Sequence, residues 1–334
     1  MKPRTDPFIR TRTDPFIRTP FIRTFIRIRL ITLVVILCTV ACRSRAPVGK
    51  GPTIQSLSLN GLENTYRYSE RVYGGSGPYT ATDFSELKQL GIDLVVSVDG
   101  ATPKVQLAEK EGLQYVHVPI GYDGVSREAK LQLVKVYMET SGPIYVHCHH
   151  GIHRGPAAIA SMLIGVDEMT PESGIAVLKQ VGTSESYQGL YRAVENARML
   201  SRTELAEAKP LVSVATVSDF IQSMAAIDVH WDHLKLIRKA GWVATAEHPD
   251  IDPAHEALLL NEQFRELIRE DREPIYSGED FPELQDFRCY LNDSVQQSAE
   301  LEFGLRQGKS MKYLESQFQA LEQSCVSCHE AYRN

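Results

Sequence analysis

Hydrophobic positions along the 334-residue chain change their spacing twice. Residues 30–41 form one predominantly apolar run of twelve, too short for the ~20 residues a helix needs to cross a bilayer. From residue 71 onward, short β-rich runs at 71–73, 94–98, 115–118 and 144–147 alternate with helical patterns at 83–90, 104–111 and 127–140. An apolar helix at 157–164 closes the series, with Pro156 suited to its first turn. This alternation predicts an α/β domain over residues 66–205, a mostly parallel sheet flanked by helices. Beyond Pro210 the β-rich runs stop and apolar residues recur every three or four positions. Phe220, Met224, Ile227, Trp231 and Leu234 mark one helix face, with Thr216 and Asp219 placed as its capping box. Leu258, Leu259, Phe264, Leu267 and Ile268 mark a second, starting at Pro253; Leu284, Phe287, Leu291 and Val295 mark a third, starting at Pro282. Leu314, Phe318, Leu321, Cys325 and Cys328 mark the last, so residues 211–334 are expected to form an all-α four-helix bundle.

The apolar run near the start changes this picture because of what surrounds it. Lys2, Arg4, Arg10, Arg12, Arg18, Arg23, Arg27 and Arg29 all precede it, the layout of an export signal over residues 1–42. Thr39-Val40-Ala41-Cys42 resembles a bacterial lipobox, which implies lipidation at Cys42 and membrane attachment through that lipid; plain cleavage is the alternative. Either route places the chain outside the cytoplasm, in a periplasm-like compartment. Upstream, Arg4-Thr5-Asp6-Pro7-Phe8-Ile9-Arg10 recurs at 12–18, a low-complexity segment that cannot pack a core. Residues 43–65 are polar and rich in Gly, Ser, Pro and Asn, and are expected to be a tether.

Composition is that of a globular protein, 43% hydrophobic and 23% charged, and a net charge of −6 leaves no basic surplus for nucleic acid. Six cysteines stand at 38, 42, 148, 289, 325 and 328. Outside the signal they divide into two single residues and one close pair, which is no disulfide framework.

Candidate chemistry begins in the loop His147-Cys148-His149-His150-Gly151-Ile152-His153-Arg154-Gly155, between a predicted strand and a predicted helix. That order makes an anion site: loop N–H groups and a helix N-terminus converge on one point, and a guanidinium grips two phosphate oxygens. Such a field favours the thiolate, the form that attacks phosphorus. Gly151 suits the sharp bend. The C-x5-R spacing from Cys148 to Arg154 resembles the dual-specificity and protein tyrosine phosphatases. The resemblance implies Cys148 as nucleophile and Arg154 as phosphate ligand, with the backbone of His149, His150, Gly151, Ile152 and His153 cradling the phosphate. It also implies a general acid from a loop after an earlier strand, where Asp123 stands, with Asp99 the second candidate. Gly155 departs from the family's usual Ser or Thr, which helps the thiol leave, and implies slow turnover. The side chains of the three loop histidines are expected to face solvent.

Cys325-Val326-Ser327-Cys328-His329 lies six residues from the end of the sequence. Both cysteines continue the apolar stripe of the last helix, and His329 sits i,i+4 from Cys325. One helix can therefore present two thiols to haem vinyls and an imidazole to iron. A thioredoxin-like pair would need a βαβ neighbour, and a zinc site further ligands. Four helices ending in C-x-x-C-H resemble the class II cytochromes c, the cytochrome c′ family, over about 120 residues. The resemblance implies covalent haem c held by Cys325 and Cys328, His329 as axial ligand, and a sixth position either open or filled by Met224. His230 and His233 are further ligand candidates.

Two functions follow. One is an exported, cysteine-dependent phosphomonoester phosphatase fused to a haem domain, with an unidentified phosphorylated substrate and a redox partner protein or small gas. The other is a non-enzymatic redox or sensor protein whose first domain only binds an anion or a partner, the reading Gly155 favours. A third arrangement lets haem redox state control oxidation of Cys148.

Overall fold

The computed structural model describes residues 54–245, 248–249, 251–270 and 284–332. The expected export signal, Cys42 and Pro282 lie outside the described residues. No helix among the described residues is long and apolar enough to cross a membrane.

Six strands form one sheet: β1 (Gln55–Leu59), β2 (Leu62–Arg67), β3 (Val72–Gly75), β4 (Leu94–Ser97), β5 (Gln114–His117) and β6 (Ile144–His147), in the order β1-β2-β3-β6-β4-β5. The strands from β3 through β6 and β4 to β5 run parallel, while β1, β2 and β3 pair antiparallel. The sheet is therefore mixed. The expected tether does not extend to residue 65, because residues 55–67 form the β1–β2 hairpin. Its turn uses Gly61 in the left-handed region, at φ 73°. The hairpin's signal is short: Ser56-Leu57-Ser58-Leu59 alternates and runs into the Asn60-Gly61 turn, inside a stretch otherwise rich in polar and turn residues.

Helices α1 (Ala81–Gln89), α2 (Val105–Lys110), α3 (Arg127–Glu139), α4 (Arg154–Gly165), α5 (Pro171–Val181), α6 (Gln188–Glu195) and α7 (Arg202–Leu205) accompany the sheet. Local chemistry starts them: Thr80 and Asp83 form a capping box on α1, Ser126 caps α3, and Thr170 caps α5 ahead of Pro171. The central strands β4 and β6 are buried throughout, as strands covered on both faces must be. Period-two alternation divides their side chains. Leu94, Val96, Ile144 and Val146 join the core under α3 and α4, while Val95 and Tyr145 join Phe84, Leu87 and Val105 under α1 and α2. Each large side chain fully buried there contributes ~2 kcal/mol of hydrophobic stabilisation.

Four long helices follow: α8 (Asp219–Lys239), α9 (Pro253–Glu270), α10 (Leu284–Arg306) and α11 (Met311–Tyr332). They share a second core containing Leu234, Ile237, Leu260, Phe264, Leu301, Phe318 and Leu321. Trp231 of α8 stacks on Phe318 of α11 with ring centroids 4.3 Å apart and planes at 9°. The N-cap of α8 is Ser218, whose side chain accepts from Ile221 N–H, so the expected Thr216 capping box is not formed. The helix starts two residues later than that pattern implied because Ser218 satisfies the first free amides directly.

Residues 206–218 connect the two regions and are held against the sheet edge. His117 N–H donates to Val212 C=O at 2.9 Å, and Ala215 N–H donates to His117 Nδ1 at 3.1 Å.

Candidate functional site

The site grows from the junction of β6 and α4. Strand β6 ends at His147, α4 begins at Arg154, and the loop between them carries Cys148, itself buried. Three loop carbonyls are bound from outside. His149 C=O accepts from Gly77 N–H at 3.0 Å, His150 C=O from Asn64 Nδ2 at 2.9 Å, and Ile152 C=O from the Thr183 hydroxyl at 2.6 Å. A trans peptide sets each carbonyl opposite the following N–H, so the amides of His150, Gly151 and His153 turn to the other side, into the bowl. Gly151 has φ 74°, and a Cβ there would lie 2.2 Å from the Gly75 carbonyl carbon. Strand β3 thus approaches the loop more closely than any side chain at that position permits.

Arg154 is nearly buried, and its Nη1 donates to Asp99 Oδ1 at 3.2 Å. Burial alone would lower the guanidinium pKa, but Asp99 beside it holds it above its ordinary value. Burial pushes the Asp99 carboxyl up, yet the Arg154 charge and Ala101 N–H outweigh that and leave it below its ordinary value. Asp99 is therefore an anchored carboxylate rather than a proton donor. With Nη1 tied back to Asp99, Arg154 Nε is buried and has no hydrogen-bond partner. An orphaned donor of this kind costs roughly 1–3 kcal/mol, a cost that an anion in the bowl would remove.

Asp123 is exposed on the loop after β5, and its neighbour Tyr122 brings that loop to the rim. The Arg154 guanidinium lies over the Tyr122 ring at 4.8 Å, and Tyr122 packs on Tyr187 with centroids 4.4 Å apart. Gly155 follows Arg154 inside the first turn of α4, and a Cβ there would lie 3.7 Å from Cys148 Sγ, ordinary contact distance.

The three loop histidines do not simply face solvent. His153 accepts from Ser184 N–H at 3.4 Å and meets the Tyr187 ring edge-on. His149 Nε2 is 3.0 Å from Asp232 Oδ2 of α8, and His150 Nε2 is 3.7 Å from the same oxygen. Burial lowers the His149 pKa, but its hydrogen bond to Asp232 and the charges of Asp228, Asp99 and Asp232 together outweigh this, and the net shift is upward. Burial and the neighbouring His149 lower that of His150.

Two further histidines support the site from below. His147 Nε2 meets the Tyr115 hydroxyl at 2.6 Å, and burial lowers its pKa to about 4. His117 accepts at Nδ1 from Ala215 and so donates from Nε2 to Asp99 C=O at 2.8 Å, the neutral form that its burial also favours. His147 makes acid a threat to the fold. An unfolded imidazole takes a proton near pH 6.5 and the buried one only near pH 4, so between them the unfolded state binds more protons. Stability is expected to fall by about 3 kcal/mol as pH drops through that window. Melting temperature against pH measures this, and His147→Gln should flatten the slope; an unchanged slope in that variant would refute the assignment.

In the helical region, Cys325 and Cys328 are free thiols on one face of α11, half-buried and buried respectively. Burial pushes their pKa values up to about 12 and about 11, keeping both protonated. Met224 of α8 packs against the same core as Cys325. Two neutral thiols one turn apart, followed by an imidazole, are a donor set suited to covalent haem. His230 and His233 are instead engaged with Glu256 of α9, each Nδ1 lying 2.9 Å from Glu256 Oε2.

A strand, a C-x5-R loop whose arginine keeps one buried nitrogen without a partner, and a helix starting at that arginine together have the layout of an anion site of the cysteine-phosphatase class. Residues 70–168 match the family model described as "Polymorphic toxin system, DSP-PTPase phosphatase", so this span is similar to phosphatase domains of that type. Among solved structures, P. aeruginosa TpbA is similar, at 21% identity and TM-score 0.38, over 46% of this chain and 93% of TpbA. The core catalytic domain of the S. cerevisiae PP-IP phosphatase SIW14 is similar at 14% identity and TM-score 0.37, over 42% of this chain and 88% of that one. No curated protein matches the chain.

Tyr79, Tyr122, Tyr187, Asp228 and Asp232 escaped sequence reading. Each reaches the loop from a distant segment, and no spacing along the chain marks them.

Proposed function

We propose that this chain is an exported phosphomonoester hydrolase whose phosphatase domain is joined to a c-type haem domain. The observation that carries the hydrolase reading is the buried Arg154 Nε without a partner, on the same loop-to-helix junction as the buried Cys148. The Arg154 fork and the loop N–H groups bind the phosphate and hold its oxygens as charge builds on them. Cys148 Sγ attacks phosphorus and forms the S–P bond while the P–O bond to the leaving group breaks. Asp123 gives that oxygen its proton and then takes one from the water that hydrolyses the cysteinyl phosphate. Asp99 keeps Arg154 in register.

Cys325 and Cys328 would hold the haem through thioether bonds, His329 would bind the iron, and Met224, which packs against the same core as Cys325, would be the candidate for a sixth ligand. Such a group supplies electron transfer when both axial positions are filled and small-gas binding when one is open. Export through the N-terminal signal, with lipid at Cys42 or plain cleavage, delivers the chain to where haem is attached.

The test is phosphate release from an aryl phosphate by the purified full chain, with vanadate as competitor, beside reduced and oxidised absorption spectra. Vanadate-sensitive release supports the hydrolase. Vanadate binding without release would replace it with an anion-binding module, the reading favoured by Gly155. A spectrum without a covalent haem band would remove the haem half.

Gly155 leads to a further expected result. A serine there fits without a clash and sets a hydroxyl beside Cys148 Sγ, where it can hydrogen-bond the leaving thiolate. Gly155→Ser should raise kcat roughly tenfold if breakdown of the cysteinyl phosphate limits turnover, a gain of about 1.4 kcal/mol. Burst-phase kinetics show it directly, since the burst shrinks as the steady rate rises; an unchanged burst and rate would exclude that step as limiting.

A further inference from the structure

We propose that His149 and His150 of the phosphate loop, with Asp228 and Asp232 of α8, form a divalent-metal site that fastens the helical region to the loop. One ligand atom from each of His149, His150 and Asp228 lies within 4.8 Å of the other two. Asp232 Oδ2 lies beside the two imidazoles, 3.0 Å from His149 Nε2 and 3.7 Å from His150 Nε2. Two imidazoles and two carboxylates match the ligand types that zinc takes, and the two carboxylate charges balance a divalent ion.

A second observation points the same way. Tyr79 Oη lies 2.7 Å from His149 Nδ1. When Nδ1–H donates to that oxygen, Nε2 carries the lone pair that a metal requires and is aimed at α8. Metal-bound histidines are usually fixed in this way through their other nitrogen. The cluster is only partly buried, which leaves an ion a path in.

The other His-carboxylate group, His230, His233 and Glu256, is a weaker candidate. It offers one carboxylate to two imidazoles, each 2.9 Å from the same oxygen, and so three ligands where the loop cluster has a second carboxylate to add. In the loop cluster two imidazole nitrogens crowd one Asp232 oxygen, whose partner oxygen is taken by Lys235 at 2.7 Å. A cation placed among them resolves that competition. The ligands come from the β6–α4 loop and from α8, more than seventy residues apart, so a bound ion ties the phosphate loop to the helical region.

The experiment is calorimetric titration of chelator-treated, full-length, haem-loaded protein with zinc sulfate. We expect one zinc per chain, with affinity reduced at least about tenfold in Asp228→Asn and in His150→Gln, and about tenfold in Tyr79→Phe, which touches no metal. Glu256→Gln and Cys148→Ser should bind as the parent does. Because the His150 side chain is half-exposed, His150→Gln keeps the test open should Asp228→Asn not fold. The proposal is overturned if the parent takes up no zinc. It is overturned equally if uptake survives Asp228→Asn and His150→Gln, or is lost with Glu256→Gln or Cys148→Ser.

Discussion

Cys148→Ser is expected to lower phosphate release by roughly 10⁴-fold or more while leaving phosphate binding in place. Serine nearly matches cysteine in volume, so the buried position and its contact with Gly155 are kept. Its hydroxyl is far harder to ionise than a thiol, so little of the attacking anion forms. The loop amides and Arg154 still recognise the anion, which separates binding from bond making. The measurements are single-turnover release of aryl phosphate and vanadate affinity in the same preparation. Release in the variant within tenfold of the parent would show that Cys148 is not the nucleophile and would remove the proposed mechanism.

Arg154→Lys is expected to reduce kcat/KM by about 10³-fold, some 4 kcal/mol of transition-state stabilisation. An ammonium keeps the charge but loses the planar fork, so it cannot face Asp99 with one edge and two phosphate oxygens with the other. The geometry shows the start of that division: Nη1 is spent on Asp99, and the buried Nε has no partner. Lysine is the informative choice because alanine would leave Asp99 buried without its partner, a loss of about 3–5 kcal/mol in folding stability that would confuse the result. Vanadate affinity should weaken alongside kcat/KM. A variant that keeps both within threefold would mean that Arg154 serves Asp99 alone.

Much of the anion site was legible because its chemistry is local. Cys148, Gly151 and Arg154 lie within seven consecutive residues, and the preceding β-rich run and following apolar helix establish where the loop must sit. The role of Asp99 was not legible. An aspartate beside a glycine after a strand looks like a turn residue, and only the parallel pairing of β4 with β6 brings it against Arg154. The loop histidines misled for the same reason: three imidazoles in a polar loop suggest exposure, and α8, arriving from far along the chain, gives two of them partners. The β1–β2 hairpin was hidden by its length and surroundings: Ser56-Leu57-Ser58-Leu59 before Asn60-Gly61 alternates over only four residues in a stretch that otherwise reads as a linker.

By itself, the sequence determined the β/α alternation, the four-helix pattern, the C-x5-R loop and the register of Cys325 and Cys328 along an apolar stripe. These follow from periodicity and near-neighbour spacing, which backbone geometry converts directly into faces and turns. The tertiary structure alone decided the mixed sheet, the Asp99–Arg154 pair that leaves a buried guanidinium nitrogen without a partner, and the meeting of α8 with the phosphate loop. Those depend on which distant segments bury their surfaces together, and that is settled by packing over the whole chain rather than by any local pattern.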